Sequence, residues 1–191
     1  MIDSYGKQYA TALDIKEACD DANRLDLPHV TMDEIDLFVA RYDKNNDRRI
    51  KFSEFVYAFA PVDPYLCEKA NQRKSYGLKF QEKTLLMYRN LWVHQFKTEQ
   101  QAELIRQKLH KSSTFSVYDA FKAVDSNEDN RITRDELRKI IEEGSKGGFF
   151  VTSQEINQLM ERYDKNGDGV ISYSEFADEI RPHSPGKKKH F

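Results

Sequence analysis

The stretch Asp164–Glu175, DKNGDGVISYSE, constrains the fold of this chain more than any other part of its sequence. Oxygen-bearing side chains recur along it at a fixed spacing, at Asp164, Asn166, Asp168, Ser172 and Glu175. Gly169 holds the sixth position, where the backbone must turn sharply with a positive φ. A hard cation of calcium's size binds about 6–8 oxygen ligands at about 2.3–2.6 Å, so a short loop has to wrap around it. The spacing therefore predicts a calcium-binding loop.

These residues satisfy the whole pattern D-x-[DN]-x-[DN]-G-x5-E, and by that pattern the chain resembles the EF-hand superfamily of calcium-binding proteins. The resemblance implies a helix on each side of the loop. It also implies that Val170 contributes its backbone carbonyl oxygen to the ion and that Glu175 binds through both carboxylate oxygens.

A second loop of the same kind, Asp125–Glu136, begins 39 residues upstream. Its expected ligands are Asp125, Asn127, Asp129, the carbonyl oxygen of Arg131, and Glu136. Asn130 replaces glycine at the sixth position, where asparagine is among the residues that best tolerate a left-handed backbone. Ile132 and Ile171, at the eighth position of each loop, are expected to pair in a short antiparallel bridge. We therefore predict two coupled calcium ions in this C-terminal part.

The loop recurs in a weaker form at Asp43–Glu54, shifted by 121 residues from Asp164–Glu175. The repeat includes Thr-x-x-Glu capping boxes at Thr31 and Thr152, so it is a whole helix–loop–helix unit. The ligands of a third, weak calcium site would be Asp43, Asn45, Asp47, the carbonyl oxygen of Arg49, and Glu54.

This third site is compromised in two ways. Arg48 stands where glycine is favoured, and a side chain at positive φ costs about 1–2 kcal/mol. Lys51 at the ninth position offers no oxygen, and basic residues outnumber the acidic ones in the loop. The sequence therefore predicts weak or no calcium binding here.

An EF-hand needs a neighbour to bury its apolar face, so Asp43–Glu54 requires a partner upstream. We place a degenerate, metal-free loop at Gly6–Glu17, with Leu13 at the bridging position and Glu17 at the last; a plain helix over Ala10–Ala22 is the alternative. A degenerate hand so near Met1 also suits a piece of a longer protein.

The predicted fold is all-α, with EF-hand pairs at 1–61 and 112–183 and short β bridges between paired loops. Between them lie a linker and a long central helix, at 62–111, and a basic tail follows at 184–191. The layout resembles calmodulin-like and centrin-like proteins. Residues 79–111 contain neither Pro nor Gly, and their apolar side is predicted from Leu85, Tyr88, Trp92, Phe96, Ala102, Ile105 and Leu109. The helix is either a strut packed against a lobe or a docking surface.

Composition narrows the partners. The net charge is −2, from 30 basic and 32 acidic residues, so we expect neither nucleic acid nor a membrane as partner. No apolar run approaches the roughly 20 residues of a membrane span. Two cysteines without metal spacing suit a reducing compartment, which predicts a cytoplasmic protein. The two-lobe layout with a long helical connector resembles EF-hand proteins of the cytoskeleton and cilium, and this resemblance implies both as candidate locations.

Two functions remain open. The first is a calcium sensor or adaptor, in which calcium opens the C-terminal lobe and exposes an apolar groove for a protein target. With only Met160 near that lobe's helices, such a target would be specific and held by Phe, Leu and Ile. The second is a structural component of a cytoskeletal or ciliary assembly, with calcium as a staple or absent. No catalytic motif occurs, so an enzyme is not predicted.

Overall fold

The structure, a computed structural model, describes residues 2–3, 6–27, 29–61, 63–73, 80–144 and 150–183. These residues form nine α-helices and four two-residue strands, which confirms an all-α fold of EF-hand lobes. The chain divides into two compact units, Met1–Leu104 and Ile105–Phe191. The predicted tail at 184–191 lies outside the described residues, and the lobe boundaries predicted from the sequence stay a prediction.

The first unit contains four complete helices, two strands and most of a fifth helix. They are β1 (Tyr9–Ala10), α1 (Ala12–Asp20), α2 (Met32–Tyr42), β2 (Ile50–Lys51), α3 (Phe52–Phe59), α4 (Pro64–Asn71) and α5 (Glu82–Lys111). The second unit holds the last turns of α5 and the remaining elements. These are α6 (Val117–Val124), β3 (Arg131–Ile132), α7 (Arg134–Gly144), α8 (Ser153–Tyr163), β4 (Ile171–Ser172) and α9 (Tyr173–Ile180).

Capping boxes set where several helices begin. The predicted boxes at Thr31 and Thr152 are confirmed. In each, the threonine hydroxyl accepts a hydrogen bond from the backbone amide of the glutamate three residues later, and the carboxylate of that glutamate accepts one from the backbone amide of the threonine. Ser172 and Glu175 form the same box at the start of α9. Glu175 is thus both a helix cap and the predicted last calcium ligand, so the loop and the helix after it share one carboxylate.

Two antiparallel bridges join the loops in pairs. In the second unit Ile132 pairs with Ile171, as predicted. In the first unit Ile50 pairs with Ala10, so the predicted loop Gly6–Glu17 is wrong by three residues: Leu13 is not the bridging residue and is 66% exposed. With Ala10 at the eighth position, the first loop is Asp3–Asp14. The observed pairing of Ala10 with Ile50 fixes the register of the loop, whereas the loop predicted from the sequence was placed so that Glu17 held its last position.

The core of the first unit is built around α5. Trp92 is fully buried, and its ring centroid lies 4.5 Å from that of Phe59 and 5.2 Å from that of Phe38. Phe96, one turn further along α5, is 2% exposed and 5.5 Å from both Trp92 and Phe38. Over this stretch, therefore, the predicted helix packs against a lobe rather than presenting a free surface.

The apolar side predicted for α5 is wrong at its C-terminal end. Ile105 is 58% exposed and Leu109 is 38% exposed, whereas Arg106 is buried. Arg106 donates from Nε to the backbone carbonyl oxygen of Glu179 at 2.8 Å, and its Nη2 lies 3.2 Å from the Glu179 carboxylate. The Glu179 carboxylate also accepts from Arg162. Charged side chains therefore occupy the place of the expected apolar contact, because Glu179 of α9 presents its carboxylate and its backbone carbonyl oxygen to Arg106.

The core of the second unit lies between the helices that flank its two loops. Phe121 of α6 and Phe176 of α9 meet edge-on with centroids 5.5 Å apart. The buried residues are Phe121, Ile132, Val151, Ile156, Met160, Ile171 and Phe176. Both bridging isoleucines belong to this core, so the loops and the helix interface are one packed unit.

Candidate metal centres

The loop Asp164–Glu175 brings its predicted ligands together around its own backbone. The Asp164 carboxylate accepts the amides of Gly167 at 2.7 Å, Asp168 at 3.2 Å and Gly169 at 2.8 Å. Asn166 accepts the amide of Asp168 at 2.8 Å. Gly169 has a φ of 86°, the left-handed conformation that the sequence predicts for the sixth position. The inner side chains therefore turn toward the centre of the loop.

Glu175 closes this loop from the other end. Its Oε1 accepts the amide of Lys165 at 3.0 Å, and its Oε2 accepts the amide of Ser172 at 2.9 Å. Burial alone would raise the pKa of Glu175, but the bonds from the Ser172 hydroxyl and the loop amides outweigh it and hold the pKa below its usual range. An ionised carboxylate with two separated oxygens is what a bidentate calcium ligand requires.

The loop Asp125–Glu136 repeats this geometry. Asp125, which is 1% exposed, accepts the amides of Asp129 and Asn130 at 3.1 Å each. Glu136 accepts the amide of Ser126 at 3.0 Å through Oε1 and that of Thr133 at 2.9 Å through Oε2. The φ of Asn130 is 64°, as its place at the sixth position predicts.

Sequence reasoning missed one residue of this second site. Lys122 of α6 places its Nζ 3.0 Å from Asp125 Oδ2 and 3.2 Å from Asn130 Oδ1. The bond to Asp125 raises the pKa of Lys122. The signal was available, because a residue three positions before the first ligand faces that ligand across one helical turn. A calcium ion in this loop would therefore compete with this ammonium for the Asp125 carboxylate.

Replacing Lys122 by methionine is expected to raise the calcium affinity of Asp125–Glu136 by about threefold to tenfold, because the competing charge is removed. Calorimetric calcium titration measures the change. Lys139→Met is the matched control, since Lys139 is an exposed residue of α7 in the same hand. Equal affinities in the two variants would contradict a competing role for Lys122.

The third predicted site, at Asp43–Glu54, has the loop geometry but carries its own cation. Arg48 has the predicted positive φ, at 59°. The Nζ of Lys51 lies 2.8 Å from Asp47 Oδ2, and this bond lowers the pKa of Asp47. The ammonium therefore already neutralises a carboxylate that calcium would need.

The predicted ligands belong to separate loops, each with a mixed set of oxygen donors. Carboxylates at the first, fifth and last positions combine with an amide oxygen at the third and a backbone carbonyl at the seventh. Among the described residues, no three His, Cys, Asp or Glu side chains converge into a cluster that could hold a metal ion, and this includes the carboxylates of these loops. The donor chemistry of Asp125–Glu136 and Asp164–Glu175 fits calcium, which prefers such all-oxygen sets.

Comparisons with known proteins agree with this geometry. A family model described as an EF-hand domain pair matches residues 114–181. A myosin regulatory light chain from Physarum polycephalum is 26% identical over 141 residues, which are 73% of this chain and 85% of that protein.

Two further relatives match shorter stretches. The probable calcium-binding protein CML29 from Arabidopsis thaliana is 41% identical over 58 residues, which are 30% of this chain and 65% of the relative. Calcium-dependent protein kinase 3 from Plasmodium berghei (strain Anka) is 35% identical over 68 residues, which are 34% of this chain and only 12% of the kinase.

None of the helices in the described part of the chain combines the length and the hydropathy of a membrane span. By these comparisons, residues 114–181 form an EF-hand domain pair, and the chain is similar to calcium-binding proteins.

Proposed function

We propose that the second unit is a calcium sensor that binds two ions, at Asp125–Glu136 and Asp164–Glu175, and thereby regulates a protein–protein interaction. The observation that carries the proposal is the equal geometry of these two loops. In both, the first carboxylate is bonded to the amides of the fifth and sixth residues, and the last carboxylate bridges the second and ninth.

The pairing of the loops supports coupled binding. Ile132 and Ile171 are each 0% exposed and lie opposite one another in the β3–β4 bridge. Each follows directly after the carbonyl-contributing residue of its loop, Arg131 or Val170. Ordering one loop around an ion therefore orders the strand that the other loop pairs with, and the second ion binds at a lower entropic cost.

The two units differ in how their apolar surfaces are covered, and this favours the second unit as the target-binding lobe. In the first unit, Trp92 and Phe96 of α5 lie inside the core, as an amphipathic target helix lies in a groove. Among the described residues, no side chain of α5 contributes to the apolar core of the second unit. Among the described residues of that unit, five large apolar side chains are exposed: Ile105 at 58%, Leu109 at 38%, Tyr118 at 55%, Phe150 at 82% and Tyr173 at 41%.

The relatives indicate the class of partner. The Physarum relative is named as a regulatory light chain of myosin, which is a protein partner. We infer that this chain also binds a protein, that it acts by binding rather than by catalysis, and that it works in the cytoplasm, with the cytoskeleton as a candidate location. Neither nucleic acid nor membrane insertion is part of this proposal.

A specific observation favours a structural role for the first unit. Trp92 and Phe96 of the chain's own helix belong to its core, and the Lys51 ammonium lies on a predicted ligand carboxylate of its second loop. The alternative function is therefore that of a structural component of an assembly, in which calcium stabilises the fold of the second unit or plays no part.

Calorimetric calcium titration of metal-stripped protein, in about 1 mM magnesium, tests the proposal. We expect two coupled sites with dissociation constants of roughly 10⁻⁷–10⁻⁵ M, the range of calcium sensors. Binding too tight to be reversed at cellular calcium levels, or no binding, would support the structural alternative instead.

A further inference from the structure

The described residues of the first loop, Asp3–Asp14, keep the backbone of a calcium loop from Gly6 onward, although the sequence of the loop does not match the pattern. Its fourth and sixth residues, Gly6 and Gln8, have φ values of 64° and 66°. The other three loops have positive φ at the same two positions, in the pairs Asn46 and Arg48, Glu128 and Asn130, and Gly167 and Gly169. Asp3 also accepts the amides of its fifth and sixth residues, at 2.8 and 2.6 Å. The described residues of the loop, Asp3 and 6–14, are therefore arranged as they would be around an ion.

The last position of this loop is changed in a way that does not suit calcium. Asp14 replaces the glutamate of the other three loops, so its carboxylate is withdrawn toward α1 by one C–C bond, about 1.5 Å. It caps α1 through Thr11, whose amide and hydroxyl each donate to Asp14 Oδ2 at 2.7 Å. Asp14 is 7% exposed, so an uncompensated charge would be costly at this position.

A lysine supplies the missing positive charge. Lys7 holds the fifth position, where the other loops have Asp47, Asp129 and Asp168. Its Nζ lies 2.9 Å from both carboxylate oxygens of Asp14, and its amide donates to Asp3. Burial alone would raise the pKa of Asp14, but the bonds from Thr11 and Lys7 hold it below its usual range, and the bond to Asp14 raises the pKa of Lys7.

We propose that the Lys7 ammonium takes the place of the metal ion in Asp3–Asp14. Lys7 bonds through its backbone to the first carboxylate of the loop and through its side chain to the last, which are the two ends that a calcium ion holds in an EF-hand. The first hand is then closed at every calcium concentration, and β1 stays paired with β2. This inference concerns the first unit alone and does not rest on the sensor role of the second.

A double-mutant cycle in chelator measures the Lys7–Asp14 pair without any contribution from calcium. The variants are Lys7→Met, Asp14→Asn and the two together, and urea unfolding of the full chain is followed by the emission of Trp92, the only tryptophan, which lies in the core of the first unit. The control cycle uses Lys16→Met and Asp20→Asn, an i,i+4 pair on α1 in which Lys16 has a similar exposure, 27% against 30% for Lys7.

For Lys7 and Asp14 we expect a coupling of about tenfold in the folding equilibrium constant, as for a charge-assisted hydrogen bond to a buried group. For the surface pair Lys16 and Asp20 we expect about twofold or less. Equal coupling in the two cycles would overturn the proposal, because Lys7 would then be an ordinary surface partner.

Direct metal binding provides a second test. In a chain carrying Glu54→Gln, Glu136→Gln and Glu175→Gln, the last ligand of every other loop is neutral, and titration with calcium up to about 1 mM reports on the first loop. We expect the same titration curve with and without a further Asp14→Asn substitution, because any residual binding at the other loops is common to both chains. Saturable binding that a further Asp14→Asn substitution removes would show a metal site in Asp3–Asp14 and would overturn the proposal.

Discussion

The variant Glu175→Gln is expected to weaken calcium binding at Asp164–Glu175 by about 100-fold or more. The substitution removes one full charge and one of two coordinating oxygens next to a divalent ion, where electrostatic interactions are large. Glutamine keeps the size of the side chain and can still form the capping box with Ser172, so α9 keeps its cap. The loss therefore reports on the metal site rather than on the helix. Calorimetric titration measures it directly.

The same variant separates the sensor from the structural alternative. If calcium opens the second unit, the wild-type protein should bind a phenyl matrix in calcium and elute in chelator, because apolar surface becomes exposed. Glu175→Gln should lose this retention. Glu161→Gln is the matched control, since Glu161 lies exposed on α8 of the same hand and its substitution removes the same charge. Retention that is equal in calcium and chelator, for wild type and variant alike, would contradict the sensor role.

Replacing Trp92 by alanine is expected to cost about 3–5 kcal/mol in the free energy of unfolding of the first unit. Trp92 is fully buried and contacts Phe38, Phe59 and Phe96 with ring centroids 4.5 to 5.5 Å apart, so its loss leaves a large cavity between α5 and the lobe. A domain of this size is stable by only about 5–15 kcal/mol, so the first unit becomes marginal.

Urea unfolding followed by circular dichroism tests this expectation. Leu91→Ala is the control, because Leu91 precedes Trp92 on α5 and is 39% exposed. We expect the control to change stability by about 1 kcal/mol or less. A similar loss of unfolding free energy in both variants would contradict this expectation, because α5 would then be held to the lobe by its whole surface and not by the buried Trp92 ring.

The EF-hand pair of the second unit could be predicted from the sequence because the information in its loops is local. Twelve consecutive residues carry the ligands, the left-handed turn and the helix cap, so Asp164 and Glu175 are meaningful without knowing the rest of the fold. The first loop was misplaced because Asp14 lacks the length of a glutamate, and the choice fell on Glu17 instead. Only the pairing of Ala10 with Ile50, a contact across 40 residues, corrects the register.

A side chain that reaches into a loop from outside its pattern has to be sought on the flanking helix, where spacing alone does not decide the contact. Lys122 approaches Asp125 from the preceding helix, and its effect depends on the rotamer it adopts. The exposed side of α5 was misjudged for a related reason. Helical periodicity groups Ile105 and Leu109 with the apolar face of α5. Which side of a helix is buried depends on the neighbouring helix, and here Arg106 donates to the backbone carbonyl oxygen of Glu179 on α9.

The cluster at Glu179 gives the second unit a mechanical linkage. One carboxylate receives Arg162, two residues before the first ligand Asp164, and Arg106 from the last turns of α5. The Glu179 carboxylate of α9 therefore connects α9 both to α8, through Arg162, and to the last turns of α5, through Arg106. If calcium changes the angle between α8 and α9, as it does in EF-hand sensors, the contacts of Arg162 and Arg106 with Glu179 have to break or move with these helices. A sensor of this kind would couple calcium binding to the last turns of α5 through a carboxylate that belongs to none of the predicted metal sites.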